Sequence, residues 1–285
     1  IKRSRCNRSP CPIQMMNASA VITFDSKYTS AGVSLAEYLA VQHIDASKQR
    51  LLRNNDIISY LHTELPQYDS RLKIFLIYQK NGLSLAQIST DNSFLICANF
   101  HGDTIKYRRQ KGGGKKEMIA KAVGLSGESS LNILDATCGL GGDAFIMASL
   151  GGNITMTERV AEVYALVNDA LVQAKERGRD TDPELIAIIN RMNLINADAK
   201  EYMLTINPTC RPDVIYLDPM FPLRKKSAKV KKDMSVFHNL VGTDNDSYEI
   251  LPIALTCALK RVVVKRPRIA PTLSSKKANY SIKGK

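Results

Sequence analysis

From residue 131 onward, short continuous apolar runs are separated by longer amphipathic stretches. LNILDAT (131–137) predicts a buried strand, and DAFIMASLG (143–151) predicts a helix closed by its glycine. NITMTE (153–158) predicts a second strand, followed by a long helix over VAEVYALVNDALVQAKERG (160–178) that ends at Gly178. RMNLIN (191–196), DVIYLD (213–218) and RVVVKR (261–266) predict three more strands, with helical patterning between them. Strands alternating with helices imply crossover connections, a parallel sheet, and a ligand at the carboxyl ends of the strands.

The first hundred residues predict a smaller α/β unit. SAVITFD (19–25) and FLICANF (94–100) have strand composition, and SLAEYLAVQHI (34–44) carries apolar residues at helical spacing. FLIYQKNGLSLAQI (75–88) predicts a hairpin around Asn81-Gly82, a dipeptide suited to a tight primed turn. The basic, Gly-rich stretch 106–116 predicts a boundary, with a short helix (Glu117–Val123) after it. The expected division is a small N-terminal α/β domain over 1–105 and a larger sheet domain over 106–285.

Composition narrows the partners. The 285 residues are 44% apolar and 24% charged, ordinary for a folded chain, and no run approaches the ~18–20 apolar residues of a membrane helix. The opening IKRSRCNRSPCPIQMM lacks the apolar region of a secretory signal. It also lacks an initiator Met, so the natural chain is expected to begin earlier. Six cysteines without a CxxC pair, and four histidines away from ligand spacing, argue against zinc and for a reduced, cytoplasmic protein without metal. The net charge of +13 is clustered: 105–121 holds seven Lys or Arg, 223–232 holds six and 260–268 holds five, nearly half of all 40. Clusters of this kind suit a polyanion, because each neutralised phosphate releases counterions. Arg108, Arg109, Lys111, Lys115, Lys225, Lys226, Lys231 and Lys232 are the candidate RNA-binding residues.

Between the strand and helix of ILDATCGLGGDAF (133–145) lie Gly139, Gly141 and Gly142, which allow a sharp turn and close approach of a ligand to the following helix. Gly139-x-Gly141-x-x-Ala144 also satisfies the dinucleotide fingerprint, so the turn alone does not choose a cofactor. Acids then follow four successive strands: Asp135, Glu158, Asp198 and Asp218. Glu158 stands 23 residues after Asp135, where a carboxylate can accept both hydroxyls of a ribose. Asp198, before AKEYML, is equally suited to capping a helix. Acceptors for an amine, two ribose hydroxyls and an adenine amino group describe S-adenosylmethionine better than a pyrophosphate, which would want cations instead.

Asp218-Pro219-Met220-Phe221-Pro222 falls where the fourth strand ends. The prolines hold the loop in one shape and leave its carbonyls free to accept, so Asp218 and those carbonyls can grip an exocyclic –NH₂. Phe221 offers a face for stacking a base. Asp218, Pro219, Met220 and Phe221 are therefore the candidate catalytic residues, working by positioning and electrostatics.

DATCGLGGDAF, TER (157–159), YLDPMFPLRKKSAKVKKDM (216–234) and KRVVVKRP (260–267) together resemble the ribosomal RNA small subunit methyltransferase J family. The resemblance covers roughly residues 105–283. It implies a Rossmann-like class I S-adenosylmethionine-dependent fold, and methylation of the 2-amino group of a guanosine in 16S rRNA, free or in the small ribosomal subunit. It carries the family's cofactor contacts onto Gly142, Asp143, Glu158, Arg159, Asp198, Ala199 and Asp218, beside Asp135, Gly139 and Gly141 from the turn. At Gly142 a member of the family carries Arg, so any side-chain contact made there is expected to be lost in this chain. The family continues past IKGK into a last strand, so that strand is expected to be absent from this sequence. A dinucleotide-dependent oxidoreductase, a non-catalytic RNA-binding assembly factor, and a methyltransferase acting on adenine in DNA or on a protein amine are the alternatives.

Overall fold

The structure, a computed structural model, describes residues 18–49, 53–65, 73–89, 93–102, 105, 117–125, 130–219, 247–268, 270, 273–274 and 277–284. Within them the chain builds two five-stranded sheets. The first contains β1 (Ala20–Thr23), β2 (Gln42–Asp45), β3 (Lys73–Gln79), β4 (Gly82–Ile88) and β5 (Phe94–Ile96), in the order β2-β1-β3-β4-β5. β1 runs parallel to β2 and β3, and the β3–β4 and β4–β5 pairs are antiparallel. Helices α1 (Thr29–Leu39) and α2 (Asn54–Glu64) accompany this sheet.

Two local expectations need correction here. The helical spacing of 34–44 does not carry one helix, because Ala40 adopts the left-handed region (φ 54°) and ends α1. The chain beyond it becomes β2, with His43 opposite Val21 and Ile44 opposite Ile22. In the hairpin, Gln79 pairs with Gly82, so the two loop residues are Lys80 and Asn81. The positive φ (103°) falls on Gly82 alone, so this is not a primed turn over Asn81-Gly82.

The second sheet is entirely parallel: β6 (Asn132–Asp135), β7 (Asn153–Glu158), β8 (Met192–Asn196), β9 (Val214–Leu217) and β10 (Arg261–Val264), in the order β10-β9-β6-β7-β8. Its helices are α3 (Met118–Val123), α4 (Gly142–Ser149), α5 (Ala161–Gly178), α6 (Pro183–Ile189), α7 (Ala199–Thr205) and α8 (Ser247–Cys257). Strand succession runs outward from β6 to β8, then resumes on the other side of β6 with β9 and β10. That reversal opens a crevice at the carboxyl ends of β6 and β9.

Alternating side chains bury both faces of this sheet. Ile133, Ile154, Val214 and Tyr216 pack with Phe145 and Met147 of α4 and with Val167, Ala170 and Ala174 of α5. Leu134, Ile215 and Leu217 pack on the opposite face with Met203 of α7 and Ile250 and Ala254 of α8. α5 also turns Val163 and Leu166 toward Val21, Leu76 and Leu85 of the first sheet, so one helix serves two cores. Among the described residues no helix is long and apolar enough to cross a membrane.

Candidate active site

β6 ends at Asp135, and the chain turns through Cys138–Gly141 into α4. Gly139 (φ 51°) and Gly141 (φ 75°) are both left-handed, which explains the glycines locally. Gly141, the N-cap of α4, is also forced by packing: a Cβ there would lie 2.8 Å from Phe100 Cζ. Above Gly139 and Gly142 the space is open, with nothing within 4 Å of an added Cβ. The turn is therefore packed underneath and accessible above, as a ligand cradle requires.

Glu158, at the end of β7, is nearly buried and braces this turn. Its Oε2 accepts from the Gly139 N–H (3.2 Å) and its Oε1 from the Val160 N–H (2.8 Å). Glu158 thus stands at the edge of the cradle as an acceptor, where ribose hydroxyls of a bound cofactor can reach it.

The four strand-end acids are not equivalent. Asp135 is 1% exposed and accepts from the Thr137 N–H at 3.1 Å. Burial pushes its carboxyl up to about 7, against that hydrogen bond; Asp143 and Asp218 raise it further and Lys265 opposes them. Asp198 caps α7, its Oδ1 accepting from the Lys200 N–H (2.9 Å) and the Glu201 N–H (3.3 Å). Its Oδ2 lies 3.7 Å from the Arg159 guanidinium, and Ala199 is the buried first residue of α7. Asp218 follows β9, with its N–H donating to Thr137 Oγ1 at 2.6 Å, and Pro219 beside it is buried. Asp135, Gly139, Gly141, Gly142, Asp143, Glu158 and Asp218 are thus gathered around the β6–β9 crevice, with Arg159 and Asp198 toward β8. Met220, Phe221, Arg108, Arg109, Lys111, Lys115, Lys225, Lys226, Lys231 and Lys232 lie outside the described residues.

Sequence reasoning missed three members of the site. Lys265, one residue beyond β10, places Nζ 2.6 Å from Asp143 Oδ2 and 2.7 Å from Asp218 Oδ2. Tyr216 donates its hydroxyl to Asp143 Oδ2 (2.6 Å). Asn196 donates from Nδ2 to the Glu158 carbonyl (2.7 Å) and accepts from the Tyr38 hydroxyl (2.5 Å), so α1 of the first sheet touches this edge of the second. The signal for Lys265 was present, since it ends an apolar run just as the four acids do. In the sequence it reads instead as part of the basic cluster 260–268.

Residues 60–285 match the family described as "Putative SAM-dependent methyltransferase". The chain is 45% identical over 222 residues to a "Ribosomal RNA small subunit methyltransferase J" of Cellvibrio japonicus, covering 78% of this chain and 84% of that protein. It is 40% identical over 240 residues to the protein of the same name in Thioalkalivibrio sulfidiphilus, covering 84% and 92%. Among solved structures it is similar to a SAM-dependent methyltransferase of Neisseria gonorrhoeae, with a TM-score of 0.59, 29% identity, and coverage of 92% and 90%.

Proposed function

Because the chain belongs to the ribosomal RNA small subunit methyltransferase J family, we propose that it methylates the exocyclic 2-amino group of a guanosine in 16S rRNA. It is an S-adenosylmethionine-dependent rRNA methyltransferase with a Rossmann-like class I sheet. One observation carries the reading of the site: an open glycine cradle is flanked by Glu158 at the tip of β7 and Asp218 at the tip of β9.

S-adenosylmethionine, when bound, supplies an electrophilic sulfonium methyl group. Glu158 is suited to accept the ribose hydroxyls, with Gly139, Gly141 and Gly142 leaving room and Asp135 and Asp143 lining the floor. Arg159, Asp198 and Ala199 border the adenine side. On the acceptor side, Asp218 and the carbonyls of Pro219 and Met220 accept the two hydrogens of the guanine amine. That amine is a weak nucleophile, because its lone pair is delocalised into the ring. Holding its hydrogens localises the pair and aims it, so the protein contributes orientation and electrostatic stabilisation. Phe221 stacks on the base. Arg108, Arg109, Lys111, Lys115, Lys225, Lys226, Lys231 and Lys232 hold the phosphates around it, in free 16S rRNA or the small ribosomal subunit. The work is cytoplasmic, with residues 1–105 as a supporting domain and 106–285 as the methyltransferase domain.

Phe221→Ala tests the acceptor half. Stacking is worth ~1–3 kcal/mol per base, or roughly 5- to 150-fold in rate or affinity. S-adenosylhomocysteine binding should survive while tritiated methyl transfer to small subunits from a deletion strain falls by that factor. Wild-type turnover would reduce the loop to a rigid connector.

A further inference from the structure

Resting on the methyltransferase reading above, Lys265 acquires a part in the reaction. Its backbone N–H donates to the Leu217 carbonyl (2.8 Å), which pins the start of its side chain to β9 just before Asp218. From there one ammonium reaches both Asp143, in the first turn of α4, and Asp218, in the loop after β9. Asp143 and Asp218 lie 75 residues apart in sequence and come from different elements. Each places Oδ2 against the same nitrogen, and Tyr216 also donates to the Asp143 oxygen. Asp135 lies buried behind them. The ionisable groups of this cluster include Asp135 from β6, Asp143 from α4, Tyr216 from β9, Asp218 just after it and Lys265 just after β10, with Cys138 of the glycine turn beside Asp135. The ammonium thus sits where two carboxylates converge, and its charge offsets the repulsion between them.

We propose that Lys265 is the positioning residue of the methyl-acceptor site: by bridging Asp143 and Asp218 it keeps Asp218 ionised and in one orientation, ready to accept the target amine. A neutral carboxylic acid at that position would be a poorer acceptor, and loss of the bridge would remove a contact that orients it. Partial burial works against the Lys265 charge, but Asp218 and Asp143 outweigh it and raise its pKa, so the ammonium persists through neutral pH. The side chain is 54% exposed, so its substitution leaves the core untouched.

Two readouts test this. The first is carboxyl-carbon NMR titration of aspartate-labelled protein without cofactor, with signals assigned through Asp143→Asn and Asp218→Asn. Lys265→Met and Lys265→Gln should both move the Asp218 carboxyl titration upward by about one pH unit or more, while Lys265→Arg should hold it near wild type. The second is the pH profile of kcat at saturating cofactor. The acid limb should move to higher pH in Lys265→Met and Lys265→Gln, with a deficit that reaches about 10-fold below the wild-type midpoint and narrows as pH rises. Lys265→Arg should restore most of that limb. Unmoved titrations, or variant profiles that superpose on or run parallel to wild type, would overturn the role. Failure of the wild-type protein to methylate small-subunit RNA would instead overturn the substrate reading, and the NMR titration would still decide what Lys265 holds.

Discussion

A carboxylate sealed beneath a site obeys different rules from those at its rim, and Asp135 and Asp218 show the difference. Asp135 sits fully inside the fold with its carboxyl raised to about 7, chiefly by burial. In the unfolded chain the same group titrates near ~3.9. Between those values the folded protein holds a proton that the unfolded chain has released, so this group's contribution to stability falls as pH rises through the window, then levels off. The full difference corresponds to roughly 4 kcal/mol. Asp135→Asn should therefore be as stable as wild type near pH 4 and more stable near pH 8, by chemical denaturation of the ligand-free protein. Parallel curves for the two proteins would mean that Asp135 is ionised in the fold. Glu158, nearly as buried, is placed differently, with two backbone N–H groups meeting its oxygens. Those bonds fix both oxygens in place at the edge of the glycine turn. Asp198 sits between the two cases, committed through one oxygen to a helix cap and through the other to Arg159.

Among the elements, α5 does the most to hold the two sheets in contact. Its sequence is apolar on two sides, the signature of a helix buried between layers. Polar groups on it meet partners from the first sheet and its flanks: Asp169 Oδ2 accepts from the Leu83 N–H (2.7 Å), Gln173 Oε1 from the Tyr28 hydroxyl (3.2 Å), and Glu162 Oε1 from the Ala18 N–H (3.3 Å). Those donors explain why Glu162 and Gln173 tolerate burial on a helix flanked by apolar side chains. Leu166 is fully buried on the side facing the first sheet. Leu166→Ala should cost ~2–5 kcal/mol, the lost transfer energy plus a cavity. Denaturant titration followed at once by far-ultraviolet circular dichroism and by protease susceptibility within residues 73–89 should show one shared, lowered midpoint. A midpoint that drops only for 73–89 would mean that the two sheets unfold separately.

Over the whole molecule, the net charge of +13 acts through its distribution. Replacing Lys225, Lys226, Lys231 and Lys232 by Gln should weaken binding to small-subunit RNA and flatten its dependence on salt, by ~0.7–0.9 of slope for each phosphate no longer neutralised. An unaltered slope in filter binding across a salt series would make those lysines merely solvated. This prediction needs only the sequence, because clustered charge is visible along the chain. The element order of the parallel sheet was legible for the same reason: strand and helix periodicities are local, and β7 coincides with the predicted 153–158. The glycine turn was legible because a positive φ selects glycine wherever it occurs. The boundary between α1 and β2 was not, since helical apolar spacing runs straight across it and only the pairing of β2 with β1 decides where the helix yields. The inequality of the four acids was equally invisible. Burial of Asp135 and the bridge from Lys265 to Asp143, 122 residues earlier, depend on which strand ends become neighbours. Sequence alone therefore determined the elements, the cradle and the basic clusters, whose causes lie within a few residues. Only the tertiary structure decided which carboxylates are sealed, braced or bridged, because charge and desolvation act through space, and sheet order brings residues together that the chain keeps far apart.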